Sequence, residues 1–333
     1  MLADFLDRSL EVYRGDEGVW PQARAWKVGI TGASLGLPGT ERVFDDDHVA
    51  RLLAGEQLID AVPPALRTAM LDRRITRLVK GAGGEASFET ISDPGDVVKL
   101  AGRGGALELA AEYGFPEDRL QALDRTTQLA IAAGIDALRD AGVPLVRRYR
   151  ATTTGSHLPD GWVLPEEMRD DTGVIFASAF PGYDAFARAM DDFHRDRTLR
   201  ERLEELQALQ AEASDAGPGM RGALERRIEA VTSEIEASPF AFDRRFLFQV
   251  LAMGHSQFAE YVGARGPNAL VNVACASGTL AVGLARDWIL ADRCRRVIVV
   301  SGDDITTDAL FPWFGGGFLA SGAAATDERV EDA

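Results

Sequence analysis

The stretch Leu270-Val-Asn-Val-Ala-Cys275-Ala-Ser-Gly-Thr-Leu-Ala281 decides how this chain is read. Leu270 to Ala274 is a short β-rich run, and Cys275 to Leu290 reads as a helix, so strand and helix meet at the cysteine. A thiol in the first turn of a buried helix feels the positive end of the dipole, which can lower its pKa from about 8.5 into the range of roughly 3.5–7.5. The free backbone N–H groups there can also hold an oxyanion. Ala274, Ala276, Ser277, Gly278, Ala281 and Gly283 keep the surroundings small, so a substrate chain or another helix can approach closely. The plain alternative is a buried structural cysteine.

Outward from this point the chain alternates strand and helix. Asp292-Arg-Cys-Arg-Arg296 is a turn, and Val297-Ile-Val-Val300 a strand of the buried parallel kind. Upstream, Gly263 to Asn268 turns the chain after a helix over Phe246–Val262. Gly173-Val-Ile-Phe-Ala177 is another buried strand, followed by a turn at Phe180–Tyr183. From Asp124, Ile131, Ile135 and Leu138 make one apolar helical face, which Asp140-Ala-Gly-Val-Pro144 ends. Trp26 to Thr31 reads as the first buried strand, and Asp45-Asp-Asp47 suit the N-terminus of a helix opening at His48 better than a metal site. Residues 80–98 read as loop. The pattern predicts an α/β sheet covered on both faces.

Residues 184–239 differ from everything around them. Leu199, Leu203, Leu206 and Leu209 recur at helical spacing, Asp215 to Gly219 breaks the pattern, and Leu224, Ile228, Val231 and Ile235 resume it. This predicts a helical hairpin dense in Arg and Glu, an insertion packed on its parent domain.

Composition narrows the function. A length of 333 residues with 46% hydrophobic content supports a sizeable core, and 36 basic against 52 acidic residues leave a net charge of −16, which repels a phosphate backbone. Cys275 and Cys294 are too few for a disulfide framework or a structural zinc site. No apolar run approaches the roughly 18 residues that span a bilayer, and no basic n-region follows Met1. The expectation is a cytoplasmic protein with reduced thiols, without cofactor or metal.

Two motifs compete with Cys275. Thr31-Gly32-Ala-Ser-Leu-Gly36 matches half of a dinucleotide phosphate loop, but Pro38-Gly39 stands where the helix should begin. The same residues spell the G-x-S-x-G of a nucleophile elbow, giving an alternative α/β serine hydrolase with Ser34 and His157, His194 or His255. That motif also requires a strand turning directly into a helix.

Asn272-Val-Ala-Cys275-Ala-Ser-Gly-Thr-Leu-Ala281 resembles the nucleophile motif of β-ketoacyl synthases, the condensing enzymes of fatty-acid and polyketide assembly in the thiolase-like superfamily. Trp26 to Gly32 is similar to their first strand, Arg51-Leu-Leu-Ala-Gly55 to the segment that follows, and Leu123 to Gly142 to their helix before the second strand. Thr172 to Phe176, Gly263 to Pro267 and Val297 to Gly302 resemble that strand, the turn ahead of the cysteine and the strand after its helix.

The resemblance implies a thiolase-like fold of α-β-α-β-α layers. Residues 26–183 and 240–333 would form the N-terminal half of a ketosynthase domain, 184–239 a helical insertion and 1–25 a leader docked on the surface. It implies an acyltransferase in which Cys275 takes an acyl group from acyl carrier protein or acyl-CoA, then condenses it with a decarboxylating extender. It further implies a homodimer, or part of a larger synthase, with the strand before the cysteine near the interface. The family places two catalytic histidines after the cysteine, whereas His48, His157, His194 and His255 all precede Cys275. The expectation is a synthase truncated before those histidines, able to acylate and unable to condense. A non-catalytic partner subunit of the chain-length-factor kind is the competing reading, and the cysteine at the nucleophile position speaks against it.

Overall fold

The computed structural model describes residues 28–80, 85–213 and 217–332, so the leader at 1–25 and the Trp26-Lys27 opening of the first expected strand lie outside the described residues. In chain order the first elements are α1 (His48–Leu53), β1 (Asp60–Ala61), α2 (Pro64–Leu71), β2 (Thr76–Lys80), β3 (Ala86–Thr90) and β4 (Leu100–Ala101). Then come α3 (Leu109–Tyr113), α4 (Glu117–Leu120), α5 (Arg125–Asp140), β5 (Val146–Ala151), β6 (His157–Val163), α6 (Glu166–Arg169) and β7 (Thr172–Ala177). The rest is α7 (Tyr183–Glu212), α8 (Pro218–Ala237), α9 (Phe246–Val250), α10 (Gly254–Val262), β8 (Asn268–Val271), α11 (Ser277–Leu290), β9 (Arg296–Ser301) and α12 (Phe311–Ala320).

A three-stranded parallel sheet in the order β8-β7-β9 organises the mixed α/β fold. Every residue of β7 is buried, as an unbroken apolar run in a central parallel strand requires. Its alternate side chains sort to opposite faces. Val174 and Phe176 join Ile131 and Ile135 of α5 and Phe258 and Val262 of α10 in the main core. Ile175 and Ala177 pack with Ala281, Ala285 and Trp288 of α11 on the other side. Helices therefore cover both faces, as the alternation of strand and helix predicts.

Helix α5 begins where the sequence places it. The Asp124 carboxylate accepts the Thr127 N–H at 3.1 Å, and its other oxygen accepts the Gly182 N–H at 2.9 Å. One buried side chain thus caps α5 and anchors the turn after β7. Gly182 sits at φ +79°, and a Cβ there would fall 2.4 Å from the Val250 carbonyl oxygen, so the turn accepts only glycine. Asp124→Ala should cost roughly 2–4 kcal/mol, the lost cap plus an orphaned buried N–H. Urea denaturation of the variant measures it.

The expected helical hairpin is present as α7 and α8, with Val231 and Ile235 buried on its inner face. Four expectations are corrected. Residues 28–31 are not in a strand and Ile30 is 86% exposed. The Ala33 N–H instead donates to Asp140 Oδ2 at 2.8 Å, holding the segment at the end of α5 and not on the sheet. The span 80–98 holds strand β3, paired with β2 through Thr76 opposite Thr90 and Arg77 opposite Glu89. There β-branched and oppositely charged cross-strand pairs outweigh the glycines between the strands. The helix over 246–262 is two helices, because Leu251 takes an extended conformation between α9 and α10. Finally, Asp47 sits at the N-cap position of α1 with no side-chain bond into the helix. The acidic residue is where expected, but it does not cap.

Candidate functional site

Cys275 stands at the carboxyl end of the parallel sheet, in a turn longer than its sequence suggests. Strand β8 ends at Val271 and α11 begins at Ser277, so the cysteine lies just ahead of the helix and not in its first turn. The expectation that the helix starts at Cys275 is corrected, because the residues between are spent on a tight reversal. Within it Ala274 adopts φ +50°, a left-handed conformation that strains a residue carrying a Cβ. Cys275 is exposed at the apex.

Two side chains hold this turn, and a third holds the loop at Ser178–Phe180 beside it. Asn272 Oδ1 accepts the Ala274 N–H at 3.2 Å, and Asn272 Nδ2 donates to the Ala179 carbonyl at 3.1 Å. Ser277 Oγ accepts the Val273 N–H at 2.9 Å and donates to the Ala274 carbonyl at 2.7 Å. Asp303, at the exit of β9, accepts the Ala179 N–H at 2.9 Å, the Phe180 N–H at 2.9 Å and the Ser178 hydroxyl at 2.5 Å. The backbone bonds closing the turn run from Ala276 N–H to the Val273 carbonyl and from Ser277 N–H to the Ala274 carbonyl, without the Cys275 N–H. The start of α11 carries no side-chain cap. Gly278 lets it approach the sheet, since a Cβ there would lie 2.8 Å from Ser301 Oγ.

The strand-turn-helix thus presents an exposed thiol beside an uncapped helix N-terminus, with a strained backbone locked by Asn272 and Ser277. The surface next to it is apolar and open. Leu280, Val282 and Leu290 of α11 and Val273 of the turn are all about half exposed, and a side chain at Gly283 would meet nothing. The small neighbours of Cys275 leave the close approach that the sequence suggests.

Cys294 is the opposite case. It is 4% exposed and packs with Trp288 and Ala281 beneath α11. Burial pushes its thiol up from the ordinary value, against the hydrogen bond to the Gly173 backbone and the charge of Arg293. The neighbouring arginines are engaged elsewhere, Arg293 over the Trp288 ring at 5.3 Å and Arg295 with Asp171 at 3.3 Å.

The serine alternative does not assemble. Ser34 lies in irregular chain and not at a strand-to-helix elbow, and no hydrogen bond joins it to a histidine among the described residues. It lines a cleft of 560 Å³ with His48, but both ring nitrogens of His48 are buried without a partner. His157 is exposed on β6 and His194 exposed on α7. His255, in the first turn of α10, is held below its ordinary pKa by desolvation, with Nδ1 unpartnered. Its neutral form is favoured in the fold while the unfolded chain takes up a proton below about 6.5, so stability should fall as pH drops through that value. In thermal denaturation from pH 8 to pH 5, His255→Gln should flatten part of the decline.

Asn272 and Ser277 were within reach of the sequence, because Asn and Ser flanking a tight reversal are the residues that bond their own backbone. Asp303 was not, since it arrives from another strand.

No family model matches this chain, and no curated protein matches it. Among solved structures it is similar to one described as the ishigamide ketosynthase/chain length factor, at 17% identity and a TM-score of 0.45, covering 87% of this chain and 56% of that one. It is also similar to a beta-ketoacyl synthase from Burkholderia phymatum STM815, at 14% identity and a TM-score of 0.35, covering 79% of this chain and 44% of that one. The chain spans about half the length of these structures. No described helix is long and apolar enough to cross a membrane.

Proposed function

We propose that this chain is the cysteine-bearing half of a β-ketoacyl synthase and that Cys275 is its acyl acceptor. The observation that carries the reading is an exposed cysteine on a strained strand-turn-helix, with Ala274 at φ +50° just ahead of it. Strain of this kind persists where surrounding structure over-determines it, and it gathers at reactive sites. The carboxyl edge of a parallel sheet is also where α/β folds place their ligands.

In the proposed step Cys275 Sγ attacks the thioester carbonyl of an acyl carrier protein or acyl-CoA. The Cys275 N–H supports the oxyanion, and the carrier thiol leaves with a proton as the acyl-cysteine thioester forms. A malonyl-type extender would then lose carbon dioxide and attack that thioester through its carbanion, freeing the cysteine. Residues 26–183 and 240–333 are assigned to the ketosynthase half, in the five-layered thiolase-like arrangement, with 184–239 as the insertion. The chain is assigned to a homodimer or to a larger synthase, and the histidines of the second step come from outside these 333 residues.

Intact-mass analysis after incubation with octanoyl-CoA tests the first step. One octanoyl adduct is expected, mapped to Cys275 and absent from Cys275→Ala. No adduct, or an adduct on Cys294, overturns the assignment. Adding malonyl-CoA should yield no β-ketoacyl product from the 333-residue chain. If that product appears, the division of labour proposed here is wrong.

A further inference from the structure

We propose that Asp303 and Asn272 are positioning residues for Cys275, acting on each other through the loop at Ser178–Phe180. This rests on the reading of Cys275 as the acyl acceptor. The loop lies between the exits of all three parallel strands. Asp303, just past the end of β9, collects three donors from it: the Ser178 hydroxyl and the N–H groups of Ala179 and Phe180. A carboxylate accepting several donors at once makes each bond charge-assisted and fixes the backbone that bears them. The Ala179 carbonyl then receives Asn272 Nδ2 at 3.1 Å. Asn272 holds the next link as well, because its Oδ1 takes the N–H of Ala274, the strained residue that aims Cys275.

The peptide of Ala179 is the joint, with its N–H on Asp303 and its carbonyl on Asn272. Nothing in this chain of contacts touches the sulfur. It determines where the backbone at 274–276 sits, and with it the direction of the Cys275 N–H that the proposed step needs. Asp303 and Asn272 are exposed, so their hydrogen bonds contribute little to burying the core. Their position at the strand exits is better explained by the turn they hold.

The test is amide hydrogen exchange of the peptide spanning 272–278, read in the intact protein. Asp303→Asn keeps the shape but replaces one acceptor oxygen by a donor, and Asn272→Ala removes both of its bonds. Each should speed exchange at Ala274–Ser277 about tenfold while peptides from α5 stay unchanged. The double variant should exchange no faster than the faster single, since both act through one peptide. Asn272→Asp keeps the bond from Ala274 and loses the bond to Ala179, so exchange at Ala179 and Phe180 should rise although Asp303 is intact. This variant decides the matter even if Asp303→Asn fails to fold.

Unchanged exchange at 272–278 in Asp303→Asn, or effects that simply multiply in the double variant, overturns the proposal. Octanoyl transfer adds a functional reading. The maximal acylation rate should fall about tenfold with the half-saturating thioester concentration unchanged, while iodoacetamide labelling of Cys275 moves less than about twofold. If the unaltered chain takes no acyl group, the assignment of Cys275 falls, and the exchange results still decide the tether.

Discussion

Iodoacetamide should label Cys275 faster than Cys294 by about two orders of magnitude or more in the native protein. Cys275 is exposed at the apex of its turn, whereas Cys294 is 4% exposed beneath α11 and its thiol is pushed up by burial. The two differ in access and, for Cys294, in the cost of forming a thiolate in an apolar site. Peptide mapping after timed quenching measures both rates in one sample. In urea the two rates should converge, because the unfolded chain protects neither thiol. Native labelling of Cys294 at the rate of Cys275 would mean that α11 does not pack on the sheet as described.

Phe258→Ala should cost about 3–5 kcal/mol, a large share of the roughly 5–15 kcal/mol that holds a domain folded. Phe258 is 1% exposed, and its ring occupies the space that Gly134 leaves open on α5. A Cβ at Gly134 would lie 2.2 Å from Phe258 Cζ, so the two residues form one contact between α10 and α5. Gly134→Val should therefore also destabilise, by about 1–3 kcal/mol or more from overpacking. In the Phe258→Ala background the same valine has room, and its cost should shrink. Denaturation midpoints for the four proteins of this cycle measure the coupling. Additive effects would show that α5 and α10 do not meet at this pair.

The parts of the fold legible in the sequence were those specified by local chemistry. Gly173–Ala177 reads as a buried strand because it is an unbroken run without polar side chains, and it lies in the fully buried centre of the sheet. Asp124 announces α5 because a carboxylate before an apolar helical face satisfies the first free N–H groups, and it does so. The leucine spacing of 199–235 foretells the hairpin, since a 3.6-residue period has one apolar side whatever it packs on.

The misread parts lie where a neighbour decides. Trp26–Thr31 has the composition of a strand, but pairing needs a free edge within reach. Its described residues are in no strand, Ile30 is exposed, and Ala33 just after them bonds to Asp140 at the end of α5. The helix expected over 246–262 is interrupted at Leu251, and just past the break Gly254 meets Phe176, where a Cβ would come within 2.4 Å of the ring. No local signal carries that contact.

By itself the sequence determined that a cysteine stands between a buried strand and a helix in an α/β domain of net charge −16. That much follows from residue type and periodicity, which act over a few positions. Only the tertiary structure decided that Cys275 sits ahead of α11 on a strained turn, exposed, while Cys294 is buried, and that Asn272 and Asp303 meet at one peptide. The physical reason is distance along the chain. Asp303 lies 124 residues from the Ala179 N–H it accepts, and only the folding of three parallel strands to one edge brings them within a hydrogen bond.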